Sequence, residues 1–197
     1  MNTYISLFII SLAASLFLTP VVRRLAQRFG WVDAPSDGRR LHETPIPRLG
    51  GVAIFLSVAL ALAWLPFVGN LVTESLKEHW SEAVAVLASS ALVFLFGVFD
   101  DLVGAKARWK FIAQVAAGLL FYALGGRIGA VTVPFVGSFA VPPVLSLVFT
   151  LVWVVGVSNA FNLIDGLDGL ATGASLFASL VVLAVALLTG RPAARWT

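Results

Sequence analysis

Six long apolar segments make up most of this chain of 197 residues. Each has roughly 17 to 23 residues, the length that a helix needs to cross a hydrocarbon core of about 30 Å. Only 12% of the residues are charged and the mean hydropathy is +0.97, which excludes an ordinary water-soluble domain. The pattern predicts an all-α polytopic membrane protein with about six transmembrane helices. They fall at about 3–20, 50–69, 83–99, 109–125, 143–160 and 170–189.

The remaining organisation is simple, and we interpret residues 1–197 as one membrane domain without internal repeats. The first apolar segment lacks a basic leader and a small-residue cleavage site, which favours a retained helix over a removed signal peptide. Glycine, proline and β-branched residues alternate near 126–142, which predicts a short external β-hairpin. Cysteine is absent, so the sequence offers neither a redox clue nor a thiolate metal site.

The basic residues predict how the helices are oriented. If the spans alternate, the loops near 21–49, 100–108 and 160–169 share one side of the membrane. With the boundary residue Lys110 added, that side holds nine basic residues against four on the other. This excess predicts that the side is cytoplasmic and that the N-terminus lies outside. Since no soluble basic domain carries the net charge of +3, we expect no nucleic-acid partner. The nine are Arg23, Arg24, Arg28, Arg39, Arg40, Arg48, Lys106, Arg108 and Lys110; the four are Lys77, Arg127, Arg191 and Arg195.

The first predicted cytoplasmic loop contains the sequence DAPSDGRRLHETPIPRLGG, residues 33–51. Its three prolines and two closing glycines predict an irregular loop that leads directly into the second span. His42 and Arg48 could donate hydrogen bonds to a phosphate group, because imidazole and guanidinium bind phosphate oxygens well. The alternative is that the arginines of this loop only set the membrane topology.

The second motif places Asp100 and Asp101 at the end of an apolar span. Adjacent carboxylates at a membrane boundary repel one another and need a cation or a water-filled cavity. Mg²⁺ is a suitable cation, because it is typically held by one or two carboxylates together with substrate phosphates. One of the pair could instead act as a general base, or both could be solvated interfacial residues. Arg108 and Lys110, near the start of the next helix, could pair with the carboxylates or with a bound phosphate.

The third motif is SNAFNLIDGLDGLATG, residues 158–173. Four oxygen-bearing side chains recur there every three residues, namely Asn159, Asn162, Asp165 and Asp168. Neighbouring members could point the same way on a helix, although the face drifts by about 60° per step. Gly166 and Gly169 weaken the helix and let backbone approach a ligand closely. The motif suits a site for a metal and a polar nucleotide group. A polar turn with Asn and Asp as helix caps explains the glycines but not four polar residues in register.

Together, RRLHETPIPRLGG, FDD followed by Gln114, and NAFNLIDGLDGLATG resemble the polyprenyl-phosphate N-acetylhexosamine-1-phosphate transferases of glycosyltransferase family 4. The resemblance extends from about residue 20 to the end of the chain, and the histidine-containing first loop is similar to the branch that transfers N-acetylglucosamine 1-phosphate. It implies a transfer, dependent on Mg²⁺ or Mn²⁺, from a UDP-N-acetylhexosamine to undecaprenyl phosphate, with release of UMP. Such a reaction starts the synthesis of cell-envelope glycans such as O-antigen, enterobacterial common antigen or the teichoic acid linkage.

The resemblance also implies a role for each motif residue. Asp100 and Asp101 correspond to the catalytic pair, and Asn162 with Asp101 would bind the metal. The residues expected to bind substrate are His42, Arg48, Arg108, Lys110, Asn159, Asp165, Gly166 and Asp168. The expected location is the bacterial cytoplasmic membrane, with the active face in the cytoplasm and a homodimer as the expected assembly.

One departure from the family pattern concerns a second half of the protein. Family members have about ten spans of membrane-crossing length, a further metal-binding aspartate in a Gly-Asp-x-Gly-Ser stretch, and a histidine-rich cytoplasmic loop. The two histidines here are His42 and His79. We therefore expect this sequence to be the N-terminal portion of a longer transferase and to be inactive by itself.

Two other classes of protein share some of these features. Intramembrane aromatic prenyltransferases hold Mg²⁺ with DxxD motifs, and Asp165 and Asp168 form one such motif, but the adjacent pair Asp100–Asp101 fits that class poorly. An ion or sugar transporter would place charges near the middle of its spans. Here every acidic residue lies in a loop or at a span end, so we favour the transferase.

Overall fold

The computed structural model describes residues 2–33, 46–67, 71–133, 135–165 and 169–189. The candidate site residues His42, Gly166 and Asp168 lie outside these ranges. The described helices are α1 (Asn2–Arg28), α2 (Gly50–Trp64), α3 (Leu71–Glu78), α4 (Trp80–Val103), α5 (Ala107–Ala123), α6 (Pro143–Ile164) and α7 (Leu170–Thr189), with a 3₁₀ turn at Leu65–Phe67 after α2. The described strands are β1 (Val32–Asp33), β2 (Ile46–Pro47), β3 (Ala130–Val133) and β4 (Gly137–Ala140).

The chain divides into two compact units. The first unit contains Met1–Glu74 and Val93–Lys106, and the second contains Ser75–Leu92 and Ala107–Thr197. Helix α4 contributes its beginning to the second unit and its end, with the acidic pair, to the first.

In the first unit, α2 presents a buried face of small residues. Ala53, Ser57 and Ala61 follow one another at intervals of four residues, so they lie on one side of the helix and are nearly inaccessible. Small side chains let another helix approach closely, which is the usual way in which membrane helices associate. Helix α1 is the main packing partner of α2. On another part of α2, Phe55 stacks on Phe94 of α4, with ring centroids 4.0 Å apart.

In the second unit, α5 packs on α6 in the same manner. Ala117 and Gly118 are buried on α5, and Ser146 and Thr150 are buried on α6. Near the end of α5, the Tyr122 hydroxyl donates a hydrogen bond to the carbonyl of Pro143, 3.0 Å away, at the start of α6. The end of α5 therefore lies beside the beginning of α6, as expected of an antiparallel pair.

Gly118 lies in close contact with α6 and provides a test of this helix pair. A Cβ at Gly118 would lie 2.8 Å from Leu151 Cδ2 and 3.7 Å from Val154 Cβ, whereas a Cβ at Gly156 of α6 would have no heavy atom within 4 Å. We expect Gly118→Val to destabilise the protein by about 1–3 kcal/mol through overpacking. The matched variant Gly156→Val should change stability by about 0.5 kcal/mol or less. Thermal unfolding in detergent would contradict this packing if the two variants unfolded at the same temperature.

The distribution of large and small side chains is the reverse of that in a soluble protein. Among the described residues, five of the seven buried hydrophobic side chains are alanines. Large apolar side chains instead point outward, with Leu16 69% and Phe17 70% exposed on α1 and Leu163 80% exposed on α6. Since large continuous apolar surfaces are unfavourable in water, these helices expose surfaces suited to lipid. The chain is a helical membrane protein.

The number of membrane spans is confirmed only in part. Four helical segments of the described chain are long and apolar enough to cross a membrane: Thr3–Arg28, Gly50–Phe67, Trp80–Val103 and Pro143–Ile164. Helix α5 has 17 residues and begins with a polar turn, and the apolar part of α7 is shorter, at Leu170–Ala186. The predicted six spans are therefore not established, because these two helices fall just short in length.

The predicted β-hairpin is confirmed. Strands β3 and β4 are antiparallel, with Ala130 opposite Ala140 and Val133 opposite Gly137. Sequence reasoning missed the short pairing of β1 with β2 and the amphipathic helix α3. It also ended three helices too early, because α1 continues through Pro20 to Arg28, α4 continues to Val103 and α6 continues to Ile164. Asn162 consequently lies on a helix and not in the predicted loop.

Candidate functional site

Asp100 lies in the last turn of α4 and fixes the end of that helix. Its Oδ1 accepts a hydrogen bond of 2.8 Å from the amide of Ala105, and its carbonyl accepts one of 2.8 Å from the amide of Gly104. Gly104 has a φ of 76°, the left-handed conformation in which glycine commonly ends helices. The carboxylate of Asp100 is therefore held in a defined position at the end of the span.

Asp101 joins the end of α4 to the beginning of α2. Its Oδ2 accepts a hydrogen bond of 3.1 Å from the amide of Leu49, and its carbonyl accepts one of 3.0 Å from Nη1 of Arg48. Helix N-termini carry unpaired N–H groups and favour anions, whereas C-termini carry unpaired carbonyls and favour cations. Asp101 thus caps α2 while Arg48 caps α4, which makes the contact complementary at both helix ends.

The contact holds Leu49 in an unusual backbone conformation. Leu49 has φ 70° and ψ 18°, in the left-handed region, and its side chain is buried. Such a conformation costs a non-glycine residue about 1–3 kcal/mol and persists only where the surroundings enforce it. The enforcing bonds are the one from Leu49 to Asp101 and a 2.9 Å bond from the Arg48 amide to the Trp31 carbonyl. The segment Arg48–Leu49 is therefore a rigid part of the first unit.

In the second unit, α5 begins with an accumulation of positive charge. Arg108 and Lys110 lie in its first turn, which contains no acidic residue. The Arg108 guanidinium carbon lies 5.7 Å from the centroid of the Trp109 ring, within the range of a cation–π contact. The positive end of a helix dipole is unfavourable for cations and favourable for anions. The arrangement is suited to binding an anionic group such as a phosphate.

Asn159 links α6 to α5 through a side-chain amide pair. Its Nδ2 donates to Oε1 of Gln114, 2.8 Å away, and also to the Val155 carbonyl, 2.9 Å away. Sequence reasoning gave Gln114 no role, although a polar side chain within an apolar helix has to find a partner. The pair fixes the orientation of Asn159, and the oxygen of its amide can still accept a hydrogen bond.

Asn162 and Asp165 end the same helix. Asn162 is exposed, and Asp165 is the C-cap, with its amide donating to the Phe161 carbonyl over 3.1 Å. The seven residues from Asn159 to Asp165 span about 9 Å along the helix axis. Three of the four side chains in the third motif are therefore grouped at one end of α6.

Mg²⁺ takes oxygen ligands, and several of these residues carry side-chain oxygen atoms. Within the described part of the chain, no three His, Cys, Asp or Glu side chains come together to hold a metal ion. Mg²⁺ does not require such a cluster, because it is usually bound by one or two carboxylates with substrate phosphates and water. In the first unit, Asp100 and Asp101 offer carboxylate oxygens. In the second unit, Asn162 offers an amide oxygen, and both are donor types that this ion accepts.

Comparison with known protein families identifies the chain. Residues 83–197, more than half of the sequence, match the model for glycosyl transferase family 4. The chain belongs to this family. The match includes the acidic pair, the cations of α5 and the whole third motif, which are features that the sequence had suggested. Family membership favours a transferase over the prenyltransferase and transporter alternatives.

Curated relatives of this family 4 protein come from several bacteria. It is 33% identical over 184 residues to a probable undecaprenyl-phosphate N-acetylglucosaminyl 1-phosphate transferase of Bacillus subtilis (strain 168), covering 93% of this chain and 48% of the relative. It is 34% identical over 168 residues to the decaprenyl-phosphate N-acetylglucosaminephosphotransferase of Mycolicibacterium smegmatis, covering 84% and 41%. An undecaprenyl-phosphate alpha-N-acetylglucosaminyl 1-phosphate transferase of Thermotoga maritima is 32% identical over 168 residues, with coverages of 85% and 48%.

The chain spans about half the length of the curated relatives it matches. No solved structure matches it significantly.

Proposed function

We propose that this family 4 protein takes part in transferring N-acetylglucosamine 1-phosphate from UDP-N-acetylglucosamine to undecaprenyl phosphate. The observation that carries the proposal is the family match over residues 83–197. The relatives in Bacillus subtilis and Thermotoga maritima are named for transfer of this phospho-sugar and for undecaprenyl phosphate as the lipid. The product starts a cell-envelope glycan.

The proposed reaction exchanges one phosphoanhydride bond for another. An oxygen of the lipid phosphate attacks the β-phosphorus of the UDP-sugar, and the bond from that phosphorus to the bridging oxygen breaks. UMP leaves with the bridging oxygen, and the sugar remains attached to the lipid through a diphosphate. Phosphoryl transfer requires mainly alignment and charge neutralisation. Mg²⁺, when bound, would supply part of the neutralisation.

The basic residues of the second unit would bind the phosphates. Arg108 and Lys110 lie at the positive end of the α5 dipole. An anion that binds there interacts favourably with both the helix dipole and the two cations. Arg48 is already bonded to the Asp101 carbonyl. We therefore assign Arg48 chiefly to holding the loop, while the phosphate-binding role of His42 stays a prediction.

The acidic and amide residues would position the lipid phosphate and the metal. We assign Asp100 one of two roles: it accepts a proton from the lipid phosphate, or it orients that phosphate. A carboxylate offers about four lone-pair sites, so the bond from the Leu49 amide leaves Asp101 able to bind Mg²⁺. In the second unit, Asn162 would offer Mg²⁺ an amide oxygen, and Asn159 and Asp165 would contact the sugar nucleotide.

The activity is tested with the complete gene product in membranes. We expect UMP release to require UDP-N-acetylglucosamine, undecaprenyl phosphate and Mg²⁺ together, and to stop when EDTA removes the metal. Addition of Mg²⁺ after EDTA should restore it. UMP release that continued without the lipid phosphate would indicate hydrolysis of the nucleotide sugar and would contradict the proposal.

We further propose six spans in the bacterial cytoplasmic membrane, with the ends carrying Asp100 and Asp165 in the cytoplasm. Lys106 and Arg127 flank α5 and are both exposed, and the chain contains no native cysteine. At 17 residues, α5 is about 25 Å long, enough to cross a thin or locally compressed bilayer. An impermeant maleimide added outside intact cells should label Arg127→Cys but not Lys106→Cys. Labelling of both would show that α5 does not cross, and the reverse pattern would invert the orientation.

A further inference from the structure

The hairpin β3–β4 has one apolar face and one small, polar face. Its register places Val131 opposite Phe139 and Thr132 opposite Ser138. Because successive residues of a strand point to opposite faces, Val131, Val133 and Phe139 share one face. On the other face the hydroxyls of Thr132 and Ser138 are hydrogen-bonded at 2.8 Å. Both strands are exposed along their whole length, so no described part of the chain covers the apolar face.

The turn of the hairpin carries a phenylalanine where a water-facing turn would favour glycine or asparagine. Phe135 has a φ of 66° and is fully exposed, and the next residue, Val136, is 67% exposed. A bulky side chain in the left-handed region is unfavourable, and glycine, asparagine or aspartate would avoid that cost in a solvated turn. Phe135 and Val136 therefore add two exposed apolar side chains at the turn of the hairpin.

The base of the hairpin is anchored within the length of a membrane-spanning helix. The amide of Ile128 donates to Oγ1 of Thr150, 3.1 Å away, and Thr150 is 1% exposed. Thr150 lies seven residues after Pro143, the first residue of α6, which corresponds to about 10 Å along the helix. The amide of Val141 also donates to the carbonyl of Gly129, which closes the base. The hairpin thus emerges beside α6 and not from a loop far above it.

The surrounding sequence is free of formal charge. From Ile128 to Ile164 there is no Asp, Glu, Lys or Arg, a composition that is unusual for a water-exposed loop and typical of chain in contact with lipid. Tyr122 reaches the carbonyl of Pro143 at the same end of α6, and tyrosine is enriched at membrane–water interfaces. The level of Pro143 therefore corresponds to the interface, and the hairpin base lies about 10 Å deeper along α6.

We propose that the apolar face of the hairpin, with Phe135 at its turn, docks into the interfacial layer of the membrane that α6 crosses. Apolar faces of peripheral segments typically enter the boundary between headgroups and acyl chains by about 5–10 Å, which matches the depth of the anchor at Thr150. The interface is preferred to the hydrocarbon core because a two-stranded sheet has unpaired backbone groups along its edges. The polar face, with Thr132 and Ser138, remains towards water. This docking holds whether or not the chain is a transferase.

A lipid surface fits the hairpin better than a second copy of the chain. Stable protein interfaces bury about 1,200–2,000 Å² in total, far more than the few apolar side chains of an eight-residue sheet provide. The attachment of the hairpin to α6 also makes its apolar surface continuous with the lipid-facing surface of that helix, on which Val144 is 74% exposed.

Two matched pairs of single cysteines test the docking. Phe139→Cys and Ser138→Cys are adjacent on β4 but lie on opposite faces, and Val131→Cys and Thr132→Cys are the equivalent pair on β3. Each variant of the complete protein is labelled with the fluorophore NBD and reconstituted into phosphatidylethanolamine–phosphatidylglycerol vesicles, with and without lipids spin-labelled near the headgroup. The second pair keeps the test decisive if one variant folds poorly.

We expect NBD at 139 and 131 to emit at shorter wavelength and to lose most of its fluorescence to the spin-labelled lipids. NBD at 138 and 132 should emit as in water and be quenched little. Equal quenching on the two faces would overturn the proposal. Emission at 139 typical of an apolar site, without quenching by lipid, would also overturn it, because protein would then cover the face.

Discussion

Replacing Asp100 or Asp101 with asparagine is expected to lower the rate of UMP release by about 10²–10⁴-fold, the range typical of a lost catalytic acid or base. Asparagine keeps the size of the side chain and an oxygen that can accept the existing backbone hydrogen bond. It removes the negative charge needed for proton transfer or metal binding. The rate is measured with the complete gene product in membranes, at saturating concentrations of both substrates.

The structure separates this catalytic effect from a loss of local order. Asp101→Ala removes the acceptor of the Leu49 amide, whereas Asp100→Ala removes the acceptor of the Ala105 amide. Loss of one such bond costs about 1 kcal/mol, or about a fivefold change in an equilibrium. Hydrogen exchange should therefore accelerate at Leu49 in the first alanine variant and at Ala105 in the second. The asparagine variants should leave both amides protected.

A matched control is available in the same protein. Glu78 is an exposed carboxylate at the end of α3, and Glu78→Gln should leave both UMP release and hydrogen exchange unchanged. An Asp101→Asn variant with normal activity would show that Asp101 only positions the loop. Normal activity in both asparagine variants would remove the acidic pair from the proposed chemistry altogether.

Asn162→Ala is expected to lower UMP release by at least about 100-fold, because a metal ion contributes several kcal/mol to such transfers. Part of this loss should be recovered at higher Mg²⁺, since the variant would lack one of the ion's proposed ligands. Asn162→Asp should retain more activity than the alanine variant, because a carboxylate is also an oxygen ligand. The measurement is a Mg²⁺ titration of the initial rate for each variant.

Ser158→Ala is the control for Asn162. Ser158 lies on the same part of α6, but its hydroxyl donates to the Val154 carbonyl of its own helix, 2.7 Å away. This substitution should leave the Mg²⁺ dependence unchanged. If Asn162→Ala lowered the rate without changing the Mg²⁺ requirement, a substrate contact would replace the metal role.

The helical membrane fold could be predicted from the sequence, because the length of an apolar segment is by itself enough to suggest a membrane-spanning helix. The hairpin could be predicted because glycine and proline residues, which favour turns, alternate there with β-branched residues. The helix ends were harder to predict. α1 continues past Pro20 through a run of arginines, and α6 extends far enough to include Asn162, because packing and hydrogen bonding outweigh weak local preferences.

The candidate site could be predicted by residue type but not by contact. The sequence selected Asp101 and Arg48 as polar residues at membrane boundaries, which is a local property. Arg48 and Asp101 are 53 residues apart in the sequence, so their contact, which joins two helix ends, depends on how the helices pack. Leu49 gave no signal, because leucine is not expected in the left-handed region. Gln114 did give one, as a polar residue within an apolar helix, but its partner Asn159 is 45 residues away.

The central claim is that a phospho-sugar, and not the sugar alone, is transferred. UDP-N-acetylglucosamine labelled with ³²P in its β-phosphate tests this most directly, with the complete gene product, undecaprenyl phosphate and Mg²⁺. The proposed reaction moves the β-phosphorus to the lipid, so label should enter the lipid fraction in equal amount to the unlabelled UMP released. Label that stayed in water-soluble UDP while sugar entered the lipid would contradict the account.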